Sequence, residues 1–319
     1  MRSNLDSIRS IIIYFSQTGN TKKIAYAIYK GMSQLLEQCE IEPLRKINPQ
    51  DLAHYDLIGL GSPIFAGESP RNVRHFMKNI PYSEGKHIFS FNTHGTLRKK
   101  YFPIVVNRLK GRGLTVIGMR DWYGSVHIPG APHPYWTDGH PDEIDLKEAQ
   151  EFGREMVETS RRITAGETHL IPQLPGMPPS YKHSPTFKRS PRGTTLRYDR
   201  EKCLYPKCHL CEDNCYMNFI DLSEPYLFGD KPQLNACEDM CSFCELICPT
   251  GAIYAEDWDS CLEAIKDSQT EREKELAEAE NEGHFRRLVP LDKIGWDTPY
   301  YKVHNKRPRF KIDKQDRDS

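Results

Sequence analysis

The chain has no long apolar run. Hydrophobic residues make up 38% of its 319 positions and the mean hydropathy is −0.67, so no membrane span is expected. Neither charge dominates, with 44 basic and 44 acidic side chains, and no nucleic-acid-binding motif is present, so a nucleic-acid partner is not expected. No Gly-x-Gly-x-x-Gly follows a strand pattern, which leaves dinucleotide binding of that kind unsupported. No secretory leader is read at the start, so a cytoplasmic location is expected and the thiols are expected to stay unbridged. Against these absences, cysteine is abundant: ten residues, eight of them grouped.

The first group is Cys203, Cys208, Cys211 and Cys215; the second is Cys237, Cys241, Cys244 and Cys248, followed by Pro249. The last three cysteines of each group repeat at an offset of 33 residues, as do Ile220 and Ile253. A duplication that preserves thiols implies two equivalent sites for something thiophilic. Zinc favours two Cys-x-x-Cys pairs divided by a spacer, and three close cysteines with a fourth after three intervening residues match that poorly. The spacing suits cubane iron–sulfur clusters. Three cysteines on a tight loop wrap one face of the cube, and the fourth thiolate comes from elsewhere. Pro249 lacks an N–H and fixes φ, which turns the chain away from the site. Cys39 and Cys261 lie outside both groups and read as ordinary buried or helix-face thiols.

Residues 199–256 resemble the bacterial two-cluster ferredoxin domain, with Cys248-Pro249-Thr250-Gly251-Ala252-Ile253 as its closing motif. The first loops are longer than in that family, with four and three residues between the first two cysteines, and Tyr216 stands where a proline would follow Cys215. In such ferredoxins the fourth cysteine of each run ligates the other cluster. The resemblance therefore implies two 4Fe-4S clusters, one on Cys203, Cys208, Cys211 and Cys248, the other on Cys237, Cys241, Cys244 and Cys215.

The N-terminal half carries a different signal. Ser10-Ile-Ile-Ile-Tyr-Phe15 is a β-branched and aromatic run, read as a buried parallel strand. Ser16-Gln17-Thr18-Gly19-Asn20-Thr21 follows, then a helical pattern with Ile24, Ile28, Met32, Leu35 and Leu36 on one face. A hydroxyl-rich loop between a strand and a helix start is an anion site, because N–H groups and the helix dipole converge there. A phosphate monoester suits it; a well-capped helix with no ligand is the alternative. The loop resembles the phosphate loop of the flavodoxin family, and the likeness extends over residues 8–164. It implies FMN, held through Ser16, Thr18, Gly19, Asn20 and Thr21.

Further strands are expected near 55–61, 87–91 and 114–119, with a weaker one at 41–47; helices are expected near 71–78, 99–109 and 141–163. Alternating strands and helices argue for a doubly wound parallel α/β sheet. The flavodoxin-like order 2-1-3-4-5 places a ligand beside strands 1 and 3. The resemblance then assigns two more flavin-contacting loops, Pro63, Ile64, Phe65, Ala66 and Gly67 after strand 3, and Asn92, Thr93, His94 and Gly95 after strand 4. Phe65 either stacks on the ring or packs ordinarily. His94 either supplies a proton or is a solvated loop residue. The segment 121–136, rich in aromatics, histidine and proline, covers the flavin edge, lines a substrate pocket, receives the second domain, or is a stiffened lid with no chemistry.

The expected layout is thus α/β plus α+β: a flavodoxin-like FMN domain at 8–164, a Pro-rich basic linker at 165–198, a dicluster ferredoxin domain at 199–256, and a charged, solvent-facing helix with a basic docking tail at 257–319. Residues 200–259 hold twelve acidic and four basic side chains, flanked by segments in which basic residues prevail, so electrostatics can help to seat the cluster region. Together these features read as an FMN- and iron–sulfur-dependent oxidoreductase of an anaerobic pathway. Its partner is a ferredoxin-like donor or an acceptor enzyme, and its substrate a small molecule or a tetrapyrrole. The alternative is an electron carrier with no substrate of its own.

Overall fold

The computed structural model describes residues 8–65, 67–96, 101–128, 130–173, 196–223, 241–255, 258–299 and 312, with only the backbone at 259–265 and 267–270. The chain forms two compact units, Met1–Gly124 with Gly139–Lys182, and Ser125–Asp138 with His183–Ser319.

The first unit is built on five parallel strands, β1 (Arg9–Tyr14), β2 (Gln38–Pro43), β3 (Leu57–Pro63), β4 (His87–His94) and β5 (Thr115–Tyr123), in the order β2-β1-β3-β4-β5. This is the expected doubly wound order. The helices are α1 (Asn20–Met32), α2 (Arg71–Asn79), α3 (Tyr101–Lys110) and α4 (Glu143–Thr164). The period-2 alternation of the central strands explains the layers. Ile11 and Ile13 of β1 join Ile58, Leu60 and Ile88 in a core shared with Val73 and Phe76 of α2 and Val105 of α3. Ile12, Phe89 and Phe91 face the other way, into a core with Ile24 and Ile28 of α1 and Phe152 and Met156 of α4. Burial on both faces is why these strands read as continuous apolar runs.

Helices α1 and α4 meet through glycine. A Cβ at Gly31 would overlap the Gln150 carbonyl, and one at Gly153 would overlap that of Ile28. Alanine in a helix interior normally adds up to about 1 kcal/mol over glycine. Here Gly153→Ala is expected to destabilise instead, by roughly 1–3 kcal/mol, because the two backbones must separate. Chemical denaturation checks the sign; a stabilised variant would contradict the close approach. Asp142 caps α4, accepting the Asp145 N–H at 3.1 Å, while Asp145 accepts the Asp142 N–H at 2.8 Å and lies 2.6 Å from His140 Nδ1. That reciprocal cap explains why His140, Asp142 and Asp145 cluster.

Several boundaries move. β2 covers 38–43 rather than 41–47, because Pro43 offers no N–H to extend a ladder and Leu44–Lys46 turns into a short 3-10 helix. β4 and β5 run on to His94 and Tyr123, so Asn92, Thr93, His94 and 121–123 are strand residues rather than loop. Their polar side chains hid this from a pattern based on hydrophobicity. No described helix is long and apolar enough to cross a membrane.

The second unit contains β6 (Leu196–Tyr198) and β7 (Ile253–Ala255), antiparallel with Tyr198 opposite Ile253, two short helices α5 (Leu210–Asp213) and α6 (Phe243–Ile247), and the long α7 (Trp258–Asn281). Its small core joins Cys211, Ile220, Leu222, Cys244 and Ile253. The repeated pair Ile220 and Ile253 is therefore buried together. Helix α7 is not wholly solvent-facing: Trp258, Leu276 and Ala279 are buried, the last two on one narrow i, i+3 seam. Within the same unit the segment 131–136 is clasped by 295–299. The His133 N–H reaches the Thr298 carbonyl at 3.1 Å, the Gly295 N–H reaches the Pro134 carbonyl at 3.0 Å, and the Trp136 and Trp296 rings lie 5.3 Å apart. The Pro-rich stretch 174–195 and most of the tail beyond 299 lie outside the described residues.

Candidate cofactor sites

The loop after β1 tightens on itself. Ser16 Oγ accepts the Gly19 N–H at 3.2 Å, and Gly19 sits at φ 95°, a left-handed conformation that favours glycine. Among the described residues no side chain caps α1, and its first turn holds no acidic residue. The end of the helix dipole therefore meets no carboxylate of its own, an arrangement suited to an external anion. Thr18 and Asn20 are half-buried beside it, whereas Thr21 is buried. Thr21 Oγ1 lies 2.7 Å from Thr93 Oγ1, so one hydroxyl of this pair donates to the other and one proton is left for another acceptor.

Thr93 also ties in the loop after β3, where the Ile64 N–H donates to its carbonyl at 3.1 Å. Pro63 ends β3. Phe65 and Glu68 exchange two backbone hydrogen bonds of 2.8 and 3.0 Å around Gly67, at φ 87°. The Phe65 ring meets Phe15 edge-on at 6.4 Å; Ala66 lies outside the described residues. The ends of β1, β3 and β4 are thereby gathered at one edge of the sheet. Asn92 is fully buried with neither amide atom hydrogen-bonded among the described residues. His94 is buried too, which corrects the reading of a solvated loop residue. Its Nε2 lies 3.1 Å from Asp121 Oδ2, its ring 4.7 Å from that of Tyr123, and its Nδ1 has no described partner. Gly95, half-buried, follows it. Sequence reasoning missed Asp121 as the partner of His94 and Thr93 as the tie between loops, because both depend on strand register.

In the second unit Cys203, Cys208, Cys211 and Cys248 line one small cavity, with Tyr198, Leu222 and Ile253 among the other walls. Burial first, and then neighbouring Cys248, Cys203 and Cys208, push the Cys211 thiol up to about 12. Deprotonated together, four such groups would repel and would suit a cation between them. All described cysteines are free of disulfides. Of the second group, Cys237 lies outside the described residues. The Phe219 N–H donates to Cys215 Sγ at 3.3 Å and the Phe243 N–H to Cys241 Sγ at 3.4 Å. Cys244 is buried in the core. Cys39 sits half-buried on β2, its thiol pushed up chiefly by burial; the side chain of Cys261 is outside the description.

A family profile described as a flavodoxin domain matches residues 11–110. The chain is 28% identical over 158 residues to an uncharacterized protein of Methanocaldococcus jannaschii, a match covering 47% of this chain and 99% of that one. It is 26% identical over 176 residues to the flavodoxin-like domain-containing protein BilS of Clostridioides difficile, covering 47% and 97%. The solution structure of two-electron reduced Megasphaera elsdenii flavodoxin aligns with a TM-score of 0.39 at 24% identity, over 47% of this chain and 98% of that one. With the profile match lying on β1 to α3 and the sheet in the order β2-β1-β3-β4-β5, the N-terminal half of the chain carries a flavodoxin-like domain.

Proposed function

We propose that the chain is an electron-transfer flavin and iron–sulfur oxidoreductase, with FMN in the first unit and two 4Fe-4S clusters in the second. The observation that carries this reading is the convergence of Cys203, Cys208 and Cys211 with the remote Cys248 on one cavity. It is the crossed set that the ferredoxin resemblance implies, and its four sulfurs, as thiolates, would fit a cationic iron core. Cys215, Cys237, Cys241 and Cys244 form the second set. The proposed boundaries remain 8–164 for the FMN domain, 165–198 for the linker, 199–256 for the cluster domain and 257–319 for the helix and tail, in a cytoplasmic protein.

The residues at the sheet edge fit FMN. The uncapped α1, with Ser16, Thr18, Gly19 and Asn20, receives the phosphate, while Thr21 and Thr93 share a proton beside it. Pro63 to Gly67 and Asn92 to Gly95 are assigned to the ring, where Asn92 and His94 Nδ1 offer polar atoms that the described protein leaves unpartnered. Bound there, FMN supplies one- and two-electron chemistry, and the clusters supply one-electron steps. The protein's own part is to hold the phosphate, exclude water and orient His94 through Asp121. Removing the carboxylate with Asp121→Ala is expected to loosen His94 and to shift the flavin potential, with FMN content retained. An unchanged potential would remove the His94–Asp121 pair from tuning the flavin.

A second reading, an electron carrier with no substrate of its own, is favoured by one observation. The aromatics expected to line a substrate pocket are buried in packing: Trp122 is 3%, Tyr135 2% and Trp136 0% exposed. A redox partner protein is then the acceptor. Turnover of a small molecule or tetrapyrrole by the isolated, chemically reduced protein supports the reductase. Electron transfer only after a partner enzyme is added supports the carrier. Neither reaction, with FMN and clusters loaded, would contradict both.

A further inference from the structure

Cys211 and Cys244, equivalent members of the two thiol groups, are each followed by a glutamate, so that Glu212 and Glu245 share the offset of 33 residues. Their carboxylates make equivalent bonds. Glu212 Oε1 accepts the Leu222 N–H at 3.4 Å, and Glu245 Oε1 accepts the Ala255 N–H at 3.1 Å; each bond spans ten residues. Leu222 is a wall of the thiol cavity and Ala255 ends β7. Each bond therefore closes the chain segment that returns from a thiol loop. A further donor steadies each carboxylate: His209 Nδ1 lies 2.8 Å from Glu212 Oε2, and Trp258 Nε1 donates to Glu245 Oε1 at 2.9 Å. Glu212 is only 9% exposed, a level at which acidic side chains are rare unless partnered.

We propose that Glu212 and Glu245 are a duplicated pair of positioning residues that brace the two ligand loops, and that Glu245 also places a fixed negative charge beside its cluster, lowering its reduction potential. This rests on the iron–sulfur reading above. Reduction adds an electron to a cluster, and a carboxylate held in poorly solvated surroundings opposes that addition. The two backbone N–H groups act in the same sense. Bound to carboxylates, they are not available to donate to sulfur, a bond that raises potential.

Glu245→Gln is the cleanest test. The bonds to the Ala255 N–H and Trp258 Nε1 both end on one oxygen, which an amide retains, so the brace survives and the charge is lost. The reconstituted variant is expected to hold as much iron and sulfide as wild type. Its EPR-monitored redox titration is expected to show one couple shifted to higher potential and the other unmoved. Glu212→Gln is expected to move the other couple less, because the wild-type carboxylate already faces His209 at 2.8 Å, whose second ring nitrogen meets the Pro206 carbonyl at 3.0 Å. An unmoved potential in the loaded Glu245→Gln variant would overturn the charge effect. Iron loss from either Gln variant would overturn the assigned brace, since an amide oxygen accepts the same N–H. Glu245→Leu removes brace and charge together and is expected to lose about half the iron; full iron would also overturn the brace. Wild-type protein that takes up no iron would instead overturn the cluster reading itself.

Discussion

Replacing Cys248 by alanine is expected to abolish the same cluster signal as replacing Cys208, forty residues earlier in the chain. In each variant the iron content is expected to fall from about eight to about four per chain, with one EPR signal retained. Cys244→Ala is expected to remove the other signal. The reason lies in the cavity, where Cys203, Cys208 and Cys211 approach from one segment and Cys248 from the next repeat. If each run instead closed its own cluster, Cys248→Ala would match Cys244→Ala, and crossed ligation would be refuted. The surviving cluster is expected to stay because its fourth thiol, Cys215, belongs to the first segment. Partial disorder is expected to follow ligand loss, since Cys211 and Cys244 are themselves members of the small core with Ile220, Leu222 and Ile253.

The second large effect is expected at Asn20, the first residue of α1. Asn20→Asp preserves shape and adds a negative charge where the helix has neither a side-chain cap nor an acid. Without flavin, that charge complements the helix dipole and is expected to stabilise the fold by about 0.3–1 kcal/mol. With FMN the same charge repels the phosphate. Affinity is expected to fall about 10- to 100-fold, roughly 1.4–3 kcal/mol, while riboflavin, which lacks the phosphate, binds as before. Opposite signs for apo stability and FMN affinity, measured by thermal unfolding and fluorescence titration, are hard to obtain from a merely structural role. Equal losses for FMN and riboflavin would place the phosphate elsewhere.

Much of the first unit was legible because its signals are local and periodic. The run Ile11 to Ile13 could only be buried on both faces, and the loop Ser16 to Thr21 stands between a strand and a helix start. The ends of β4 and β5 were not legible. Asn92, Thr93, His94 and Asp121 are polar, yet they continue the ladder, and only register brings Asp121 to His94. The Gly31 and Gly153 crossing was hidden for a similar reason: each glycine looks like a helix weakness until the facing carbonyl is known. In the second unit the thiol spacing carried the metal expectation. A docking tail was expected from the sequence, but the pairing of 295–299 with 131–136 was not, because backbone groups make most of that clasp. Glu212 and Glu245 did leave one, the shared offset of 33 residues, but carboxylates on a charged surface rarely attract notice without their partners.

The most direct measurement is cofactor quantification on anaerobically purified, reconstituted protein. About eight iron, about eight acid-labile sulfides and about one FMN per chain are expected, with interacting EPR signals on reduction. Two zinc ions, no sulfide and no flavin would contradict the proposed electron-transfer function at its root.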